Sequence, residues 1–465
     1  LGIAIYGMFL AIILPPARQR KPVRFVVLLA VGLGLMILFN FQANTEQMAA
    51  LVREAGHVIV PDPEGADVCV LNTCGFIDSA KSEAIDHILY LARLKDEGKL
   101  KKILVAGCLS QRYAGQLPSL IPEVDAWFGA RELEPLVKYL GCKAGPDNRR
   151  YITSEGRPYA FLKISEGCDR RCSYCAIPFI RGAHRSVPIE KLVEEAEFLA
   201  GKGVRELVII AQDTTWYGLD LYGKRCLRDL LHRLSEVEGI EWIRLHYSYP
   251  ASFPEDVLDE MAENPKICRY IDIPLQHISD GVLRKMHRGV TGAWTRALVS
   301  KMREKVPGVV LRTTMIVGHP GETPRSFNTL VDFIREARFE RLGAFIYSEE
   351  EGTWGAENLE DSISEKVKKK RLETLMEVQQ GISLAYNQSR VGTRVKVLVD
   401  DFTDGILVCR SEFESPEVDG EILVRYDREA LEGVEPYSLV GEFIEVEITS
   451  ADEYDLTAKP LSLCE

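Results

Sequence analysis

At 465 residues, with 46% hydrophobic and 27% charged side chains, the chain has the make-up of a folded protein of two or three domains. A net charge of −12 argues against a general nucleic-acid binder, and 11 scattered cysteines in so long a chain argue against a disulfide framework. Cysteines kept as thiolates for metal binding belong in a reducing compartment, which points to the cytoplasm.

Residues 1–42 do not match the rest. Residues 2–14 are apolar, Arg18-Gln19-Arg20-Lys21-Pro22-Val23-Arg24 is basic, and 25–39 is apolar again. Three readings stand open. One is a membrane hairpin or signal anchor, although each run falls short of the roughly 18–20 residues a spanning helix needs and no small-residue cleavage site is evident. The second is a buried first strand at 25–32 behind an unrelated extension. The third is a misread start, in keeping with the initial Leu1.

From Thr45 onward the pattern is α/β. A helix is predicted over 45–54, strands over 57–60, 67–71 and 102–106, and a helix over 78–94, so residues 43–142 read as a doubly wound parallel sheet. Ligands of such sheets lie beyond the carboxyl ends of the strands. Cys74, in Asn72-Thr73-Cys74-Gly75, and Cys108, in Ala106-Gly107-Cys108-Leu109, stand at two of those ends. A lone cysteine is usually a small buried apolar residue, but two in equivalent loops suggest a metal site. Gly75 and Gly107 beside them would let backbone approach a bulky group.

Residues 143–157, with Gly145-Pro146-Asp147-Asn148-Arg149-Arg150 and Gly156-Arg157, read as a linker. Next comes Glu166-Gly167-Cys168-Asp169-Arg170-Arg171-Cys172-Ser173-Tyr174-Cys175, a C-x3-C-x2-C loop after the β-type run 159–164. Three close thiolates suit three corners of an iron–sulfur cubane and leave one iron open to a substrate. A zinc site would call for a second Cys or His pair at the right distance, and none follows. Strands at 159–164, 205–211, 242–246, 270–273, 310–317 and 342–347 alternate with helices. Residues 158–389 therefore read as a partial (β/α)6 barrel with its chemistry at the carboxyl ends of the strands. Polar runs stand at those ends: Ala211-Gln212-Asp213-Thr214-Thr215, Pro274-Leu275-Gln276-His277 and Gly318-His319-Pro320-Gly321-Glu322-Thr323. Ser364 is placed to cap a long helix whose Lys366, Lys368, Lys369, Lys370 and Arg371 form either a phosphate contact or a solvated face.

Residues 390–465 change to short strands at 394–399, 405–409, 421–424 and 443–448, a small antiparallel barrel. Between 391 and 465 there are 6 Lys+Arg against 19 Asp+Glu, a net of −13 that accounts for the acidity of the whole chain. Such a surface repels RNA phosphate and attracts a basic protein. Glu412, Glu414, Glu417, Asp419 and Glu421 around one turn are the expected docking face.

The three-cysteine loop, with Tyr174 before its last cysteine, resembles the motif of radical S-adenosylmethionine enzymes. The domain order over residues 43–460 resembles the methylthiotransferases. Asn72-Thr73-Cys74-Gly75-Phe76-Ile77-Asp78-Ser79-Ala80-Lys81, Ala211-Gln212-Asp213-Thr214-Thr215 and Pro416-Glu417-Val418-Asp419-Gly420 look like the RimO branch. The tRNA-modifying MiaB branch would show Asn in place of Asp169 and Asp213. The resemblance implies that Cys168, Cys172 and Cys175 hold a radical 4Fe–4S cluster, and that Tyr174, Gln212 and Gln276 lie near S-adenosylmethionine. It also assigns Cys74 and Cys108 to an auxiliary 4Fe–4S cluster and implies a TRAM-like terminal barrel and an electron donor. The implied reaction uses two S-adenosylmethionine molecules. One methylates sulfur held at the auxiliary cluster, and the other yields a radical that takes hydrogen from the β-carbon of an aspartate in small-subunit ribosomal protein number twelve. The family's third auxiliary cysteine, in a Gly-Cys turn after the first strand, is not found: ungapped counting reaches Leu38, and the look-alike Leu33-Gly34-Leu35 lacks it too. Cys69 lies mid-strand and is a poor substitute. A tRNA methylthiotransferase, a radical enzyme with a broken auxiliary site and a non-catalytic ribosome-binding protein are the competing readings.

Overall fold

The computed structural model describes residues 24–29, 45, 48, 49, 52, 53, 56–60, 62–75, 78–141 and 157–464. Most of the anomalous N-terminal segment and nearly all of the linker, 143–156, lie outside them. Among the described residues no helix is long and apolar enough to cross a membrane. The chain divides into two compact units, one of residues 1–155 with 167–170 and 175–183, the other of the remainder.

In the first unit five strands, β1 (Arg24–Leu29), β2 (Val58–Ile59), β3 (Val68–Thr73), β4 (Lys102–Gly107) and β5 (Ala126–Phe128), form a parallel sheet in the order β2-β1-β3-β4-β5. Buried parallel strands send alternate side chains into two cores. Cys69, Leu71, Ile103 and Val105 face α1 (Asp78–Asp96), whose Ile88 and Leu91 are fully buried. Val68, Val70, Leu104 and Ala106 pack on Val52 and Leu136 across the sheet. The sheet is thus wound on both faces. The chain reverses direction between β1 and β3, and the crevice beyond their carboxyl ends is the ligand position of this topology. The apolar run after the basic stretch supplies β1. At three residues, β5 is too short for periodicity to reveal. The unit's short helices include α2 (Cys108–Arg112) and α3 (Ile177–Arg181), with others at Leu117–Leu120 and Leu133–Tyr139.

The second unit contains β6 (Tyr159–Lys163), β7 (Ser165–Glu166), β8 (Arg185–Ser186), β9 (Glu206–Ile210), β10 (Trp242–Leu245), β11 (Ile267–Asp272), β12 (Val310–Val317) and β13 (Arg341–Ile346). Six of these make a parallel sheet whose neighbours follow chain order from β6 through β9 to β13, an open barrel. The β7–β8 ribbon pairs Glu166 with Arg185 and closes the neck of the segment carrying the three cysteines. The long helix α4 (Glu365–Ser389) begins after Ser364, whose side chain makes no capping bond. The basic run of α4 is not uniformly solvated. Lys368 is buried against Asp361 and Glu365, and Arg371 binds Glu322 at 2.8 Å.

The terminal strands β14 (Arg394–Thr403), β15 (Ile406–Arg410), β16 (Ile422–Arg425), β17 (Phe443–Ala451) and β18 (Leu456–Leu463) close a barrel in the order β14-β15-β16-β18-β17. The barrel is not antiparallel throughout, because β16 and β18 run parallel. Five is an odd number, and an odd ring of strands cannot alternate direction all the way round.

The expected docking face corrects most sharply. The turn 411–420 lies against the amino-terminal part of the parallel sheet, and its carboxylates are used inside the chain. Glu414, 1% exposed, accepts from Arg341 at 3.1 Å and from Arg390. Asp419 accepts from the Tyr270 hydroxyl at 2.7 Å. Glu417 accepts from Arg157 at 2.7 Å and from Tyr159 at 2.9 Å. Beside them Glu206 binds Arg244 at 2.6 Å and Arg410 at 2.7 Å, all three side chains being buried, and Arg410 continues to Asp400. His246 donates to or accepts from Ser415 at 2.8 Å and stacks on Tyr270. Burial, then Arg312 and Arg244, push its ionisation well down, so it sits neutral among charges. An apolar seam of Trp242, Tyr270, Leu398 and Phe443 completes the joint, with the Trp242 and Phe443 rings 4.8 Å apart.

Burial alone would raise the carboxyl of Glu414, but Arg390 and Arg341 hold it down, at about 2. A folded value below the ordinary 4.5 means that this carboxylate's contribution is complete above pH 4.5 and is lost as pH falls toward 2. Glu414→Gln leaves two buried guanidinium groups short of a counter-charge, at a cost of about 3 kcal/mol or more. Its thermal unfolding at neutral pH should fall accordingly, and the gap to the parent protein should narrow as the melts are repeated at lower pH.

Candidate metal centre

In the first unit β3 and β4 end side by side, and the two loops that leave them carry Cys74 and Cys108 into one small core with Ala80, Ala176 and Ile180. The approach depends on missing side chains. A Cβ on Gly75 would lie 2.7 Å from the Leu109 backbone, and one on Gly107, at φ +108°, would lie 2.4 Å from the Thr73 carbonyl oxygen. The Thr73 hydroxyl donates to the Ala106 carbonyl at 2.6 Å, and Arg112 donates to the Gly75 carbonyl at 2.9 Å. Arg181 on α3, buried, directs its guanidinium to the Cys108 sulfur at 3.3 Å. Sulfur contacts of this kind suit a thiolate better than a neutral thiol. The pair fits part of a cluster site.

The third ligand is not completed by Cys69. Its side chain is fully buried in the α1-facing core, and burial pushes its thiol far up, away from the thiolate a metal needs. The register sets Leu29, the last residue of β1, beside Asn72 of β3, two residues before Cys74. Residues 30–44, which follow β1 in the sequence and lie outside the described residues, hold no cysteine.

Cys168 and Cys175 belong to the first unit. The Cys168 amide donates to the Gly182 carbonyl at 3.0 Å, which closes the loop on itself. Cys172 and Tyr174 belong to the second unit. There Ser173 is held on both sides of its peptide, its amide donating to Met286 at 3.1 Å and its carbonyl accepting from Gly355 at 2.6 Å. The Cys172 sulfur lies 3.5 Å from Arg288 Nη1 and 3.7 Å from the Tyr249 hydroxyl. Arg288 also reaches the Tyr174 hydroxyl at 3.5 Å. Among the described residues no three His, Cys, Asp or Glu side chains converge on one ion. A cubane asks for something different, since each cysteine binds its own iron at a separate corner. At Cys172 the chemistry suits such a ligand, since a buried cation faces its sulfur.

The polar runs at the strand ends fare differently. Asp213 is occupied locally, accepting from the Thr215 amide at 2.9 Å and hydroxyl at 2.6 Å. Gln212 and Gln276 are both buried, and Gln276 sits at φ +70° with its amide donating to Thr314 and its side-chain oxygen without a partner. His277 contacts Glu322 at 3.4 Å, and Glu322 in turn holds Arg371. His319 packs edge-on to Tyr174 and Tyr347, and burial pushes its imidazole down to about 4, so it is neutral. Arg181, Tyr249 and Arg288 were not legible as site residues. No spacing rule links Met286-His287-Arg288 to a loop more than a hundred residues earlier.

Family profiles match the chain at residues 40–129 (uncharacterized protein family UPF0004), 162–334 (radical SAM superfamily) and 391–461 (TRAM domain). A protein of Bacteroides thetaiotaomicron named ribosomal protein uS12 methylthiotransferase RimO is 48% identical over 424 residues, covering 90% of this chain and 95% of that protein. The chain belongs to the RimO family of radical S-adenosylmethionine methylthiotransferases. RimO of Flavobacterium johnsoniae is 49% identical over 91% of this chain and 95% of its own length. RimO of Porphyromonas gingivalis is 48% identical, with 87% and 92% covered. In fold alone, the radical S-adenosylmethionine methyltransferase TsrM of Kitasatospora setae, solved with cobalamin and a [4Fe-4S] cluster, is similar at a TM-score of 0.51 and 13% identity, over 90% of this chain and 81% of that one.

A second cluster bound through Cys74 and Cys108 alone is expected to be held poorly. A protein carrying Cys168→Ala, Cys172→Ala and Cys175→Ala, reconstituted anaerobically, is expected to bind well under four irons per chain. Near-stoichiometric binding of four would mean that another group completes the site.

Proposed function

We propose that this chain attaches a methylthio group to the β-carbon of an aspartate in ribosomal protein uS12, using two S-adenosylmethionine molecules and two 4Fe–4S clusters. The observation that carries this reading is the identity of about 48% over some nine-tenths of the chain with proteins named for that activity. When bound, the clusters would supply the reductive cleavage of S-adenosylmethionine and a place to hold the sulfur that is transferred. An unactivated C–H bond gives an acid or base no handle, so the protein's share is placement and exclusion of water.

Cys168, Cys172 and Cys175 would hold the cluster that cleaves S-adenosylmethionine, and Cys74 and Cys108 the auxiliary one. Tyr174, fixed by Arg288 and the edge of His319, offers an aromatic face for adenine. The buried amides of Gln212 and Gln276 are suited to the polar groups of the same molecule. Neutral His319 puts no positive charge beside a sulfonium cofactor.

The partner enters through charge. The terminal barrel keeps Asp401, Asp404, Asp427, Glu429, Glu432 and Glu435 exposed after the turn 411–420 is committed inside the chain. These attract a basic ribosomal protein and repel tRNA phosphate, and the attraction weakens as salt rises. A radical enzyme with an incomplete auxiliary site is the second reading, favoured by the absence of cysteine before Cys69.

The test is anaerobic incubation of reconstituted protein with S-adenosylmethionine, a reductant, a sulfide source and uS12. Mass spectrometry should find a methylthio group on one aspartate together with 5′-deoxyadenosine, and Cys172→Ala should abolish both. Undiminished cleavage by Cys172→Ala would overturn the cluster assignment. Deoxyadenosine without modified uS12 would favour the second reading.

A further inference from the structure

Buried arginines in the second unit come with carboxylates. Arg244 has Glu206, Arg312 has Asp272, Arg371 has Glu322, Arg410 has Asp400, and Arg341 and Arg390 share Glu414. Arg288 breaks the pattern. It is 4% exposed, and among the described residues its guanidinium touches no carboxylate. Its Nη2 donates to the Pro274 carbonyl, its Nη1 faces the Cys172 sulfur and the Tyr174 hydroxyl, and its Nε has no partner. The Tyr249 ring lies under it, 4.1 Å from the guanidinium carbon, and the Tyr249 hydroxyl donates back to the Arg288 carbonyl at 3.0 Å. A cation–π face and neutral acceptors offset only part of the cost of burying this charge. Of the groups that meet this cation, the Pro274 carbonyl and the Tyr174 hydroxyl are neutral, and the Cys172 sulfur is the one that becomes an anion as a metal ligand.

We infer that Arg288 is the counter-charge of the cluster bound through Cys172, a positioning residue that sets how readily that cluster accepts an electron. The inference rests on Cys172 being a cluster ligand, as proposed above. Reduction adds one negative charge to a buried group. A fixed cation within reach of a ligand sulfur stabilises the reduced form more than the oxidised one and so raises the potential. The hydrogen bond to Tyr174 ties the same guanidinium to the aromatic residue of the loop, so one side chain orients both.

The experiment uses the full chain with Cys74→Ala and Cys108→Ala, so that one cluster reports. Iron content and a reductive titration followed by electron paramagnetic resonance are compared for this parent, Arg288→Gln and Arg288→Lys. Arg288→Gln should keep its iron, shift the midpoint to more negative potential and slow S-adenosylmethionine cleavage roughly 10- to 100-fold. Arg288→Lys, which keeps the charge but not the planar fork, should show a smaller shift in the same direction. If Arg288→Gln fails to load iron, the sign of the Arg288→Lys shift decides the matter. Loaded variants with the parent's midpoint overturn the inference. If they also bind S-adenosylmethionine more weakly, the cation serves that molecule's carboxylate instead. A parent that takes up no cluster would fail earlier, on the assignment of Cys168, Cys172 and Cys175, and the inference would fall with it.

Discussion

Glu206, the first residue of β9, is wholly buried between Arg244 and Arg410, and that ion pair joins the parallel sheet to the terminal barrel. Placing three charges out of water is costly unless each is matched and hydrogen-bonded, and here each is. Both oxygens of Glu206 accept, Arg244 also donates to the Glu412 carbonyl, and Arg410 reaches Asp400 and the Glu414 carbonyl. Such a joint is intolerant of slippage, because any displacement strands a charge. The terminal barrel is therefore a fixed part of the second unit, and the surface it shows a partner is held in register with the sheet.

The same economy of charge explains where chemistry can occur. At the amino-terminal part of the sheet the buried guanidinium groups of Arg244, Arg312, Arg341, Arg390 and Arg410 each meet a carboxylate. At the carboxyl-terminal loops the polar groups are less complete. Gln276 has a buried oxygen without a partner, His319 a buried nitrogen without one, and Arg288 a buried charge without a carboxylate. His319 packs on Tyr174, and Arg288 faces Cys172 and Tyr174, so part of this unmet polar capacity borders the three-cysteine loop.

The sequence by itself determined the order of domains, the six strands of the open barrel, the three-cysteine loop and the paired strand-end cysteines. Each of these is written in local spacing, whether period-two runs, Gly beside Cys or C-x3-C-x2-C, and local spacing survives without knowledge of the fold. It also placed Gly75 and Gly107 where close backbone approach was needed. Tertiary structure alone decided what the acidic turn is for. Glu414 and Asp419 look in sequence like a surface cluster, and only the approach of Arg341, Arg390 and Tyr270 from distant strands turns them inward. It decided as well that β16 and β18 run parallel, which ring closure imposes and no strand pattern records. It singled out Arg288 from the other arginines, because its distinction is the lack of a carboxylate in three dimensions. A charge's meaning depends on its neighbours through space, whereas a ligand loop carries its neighbours along the chain.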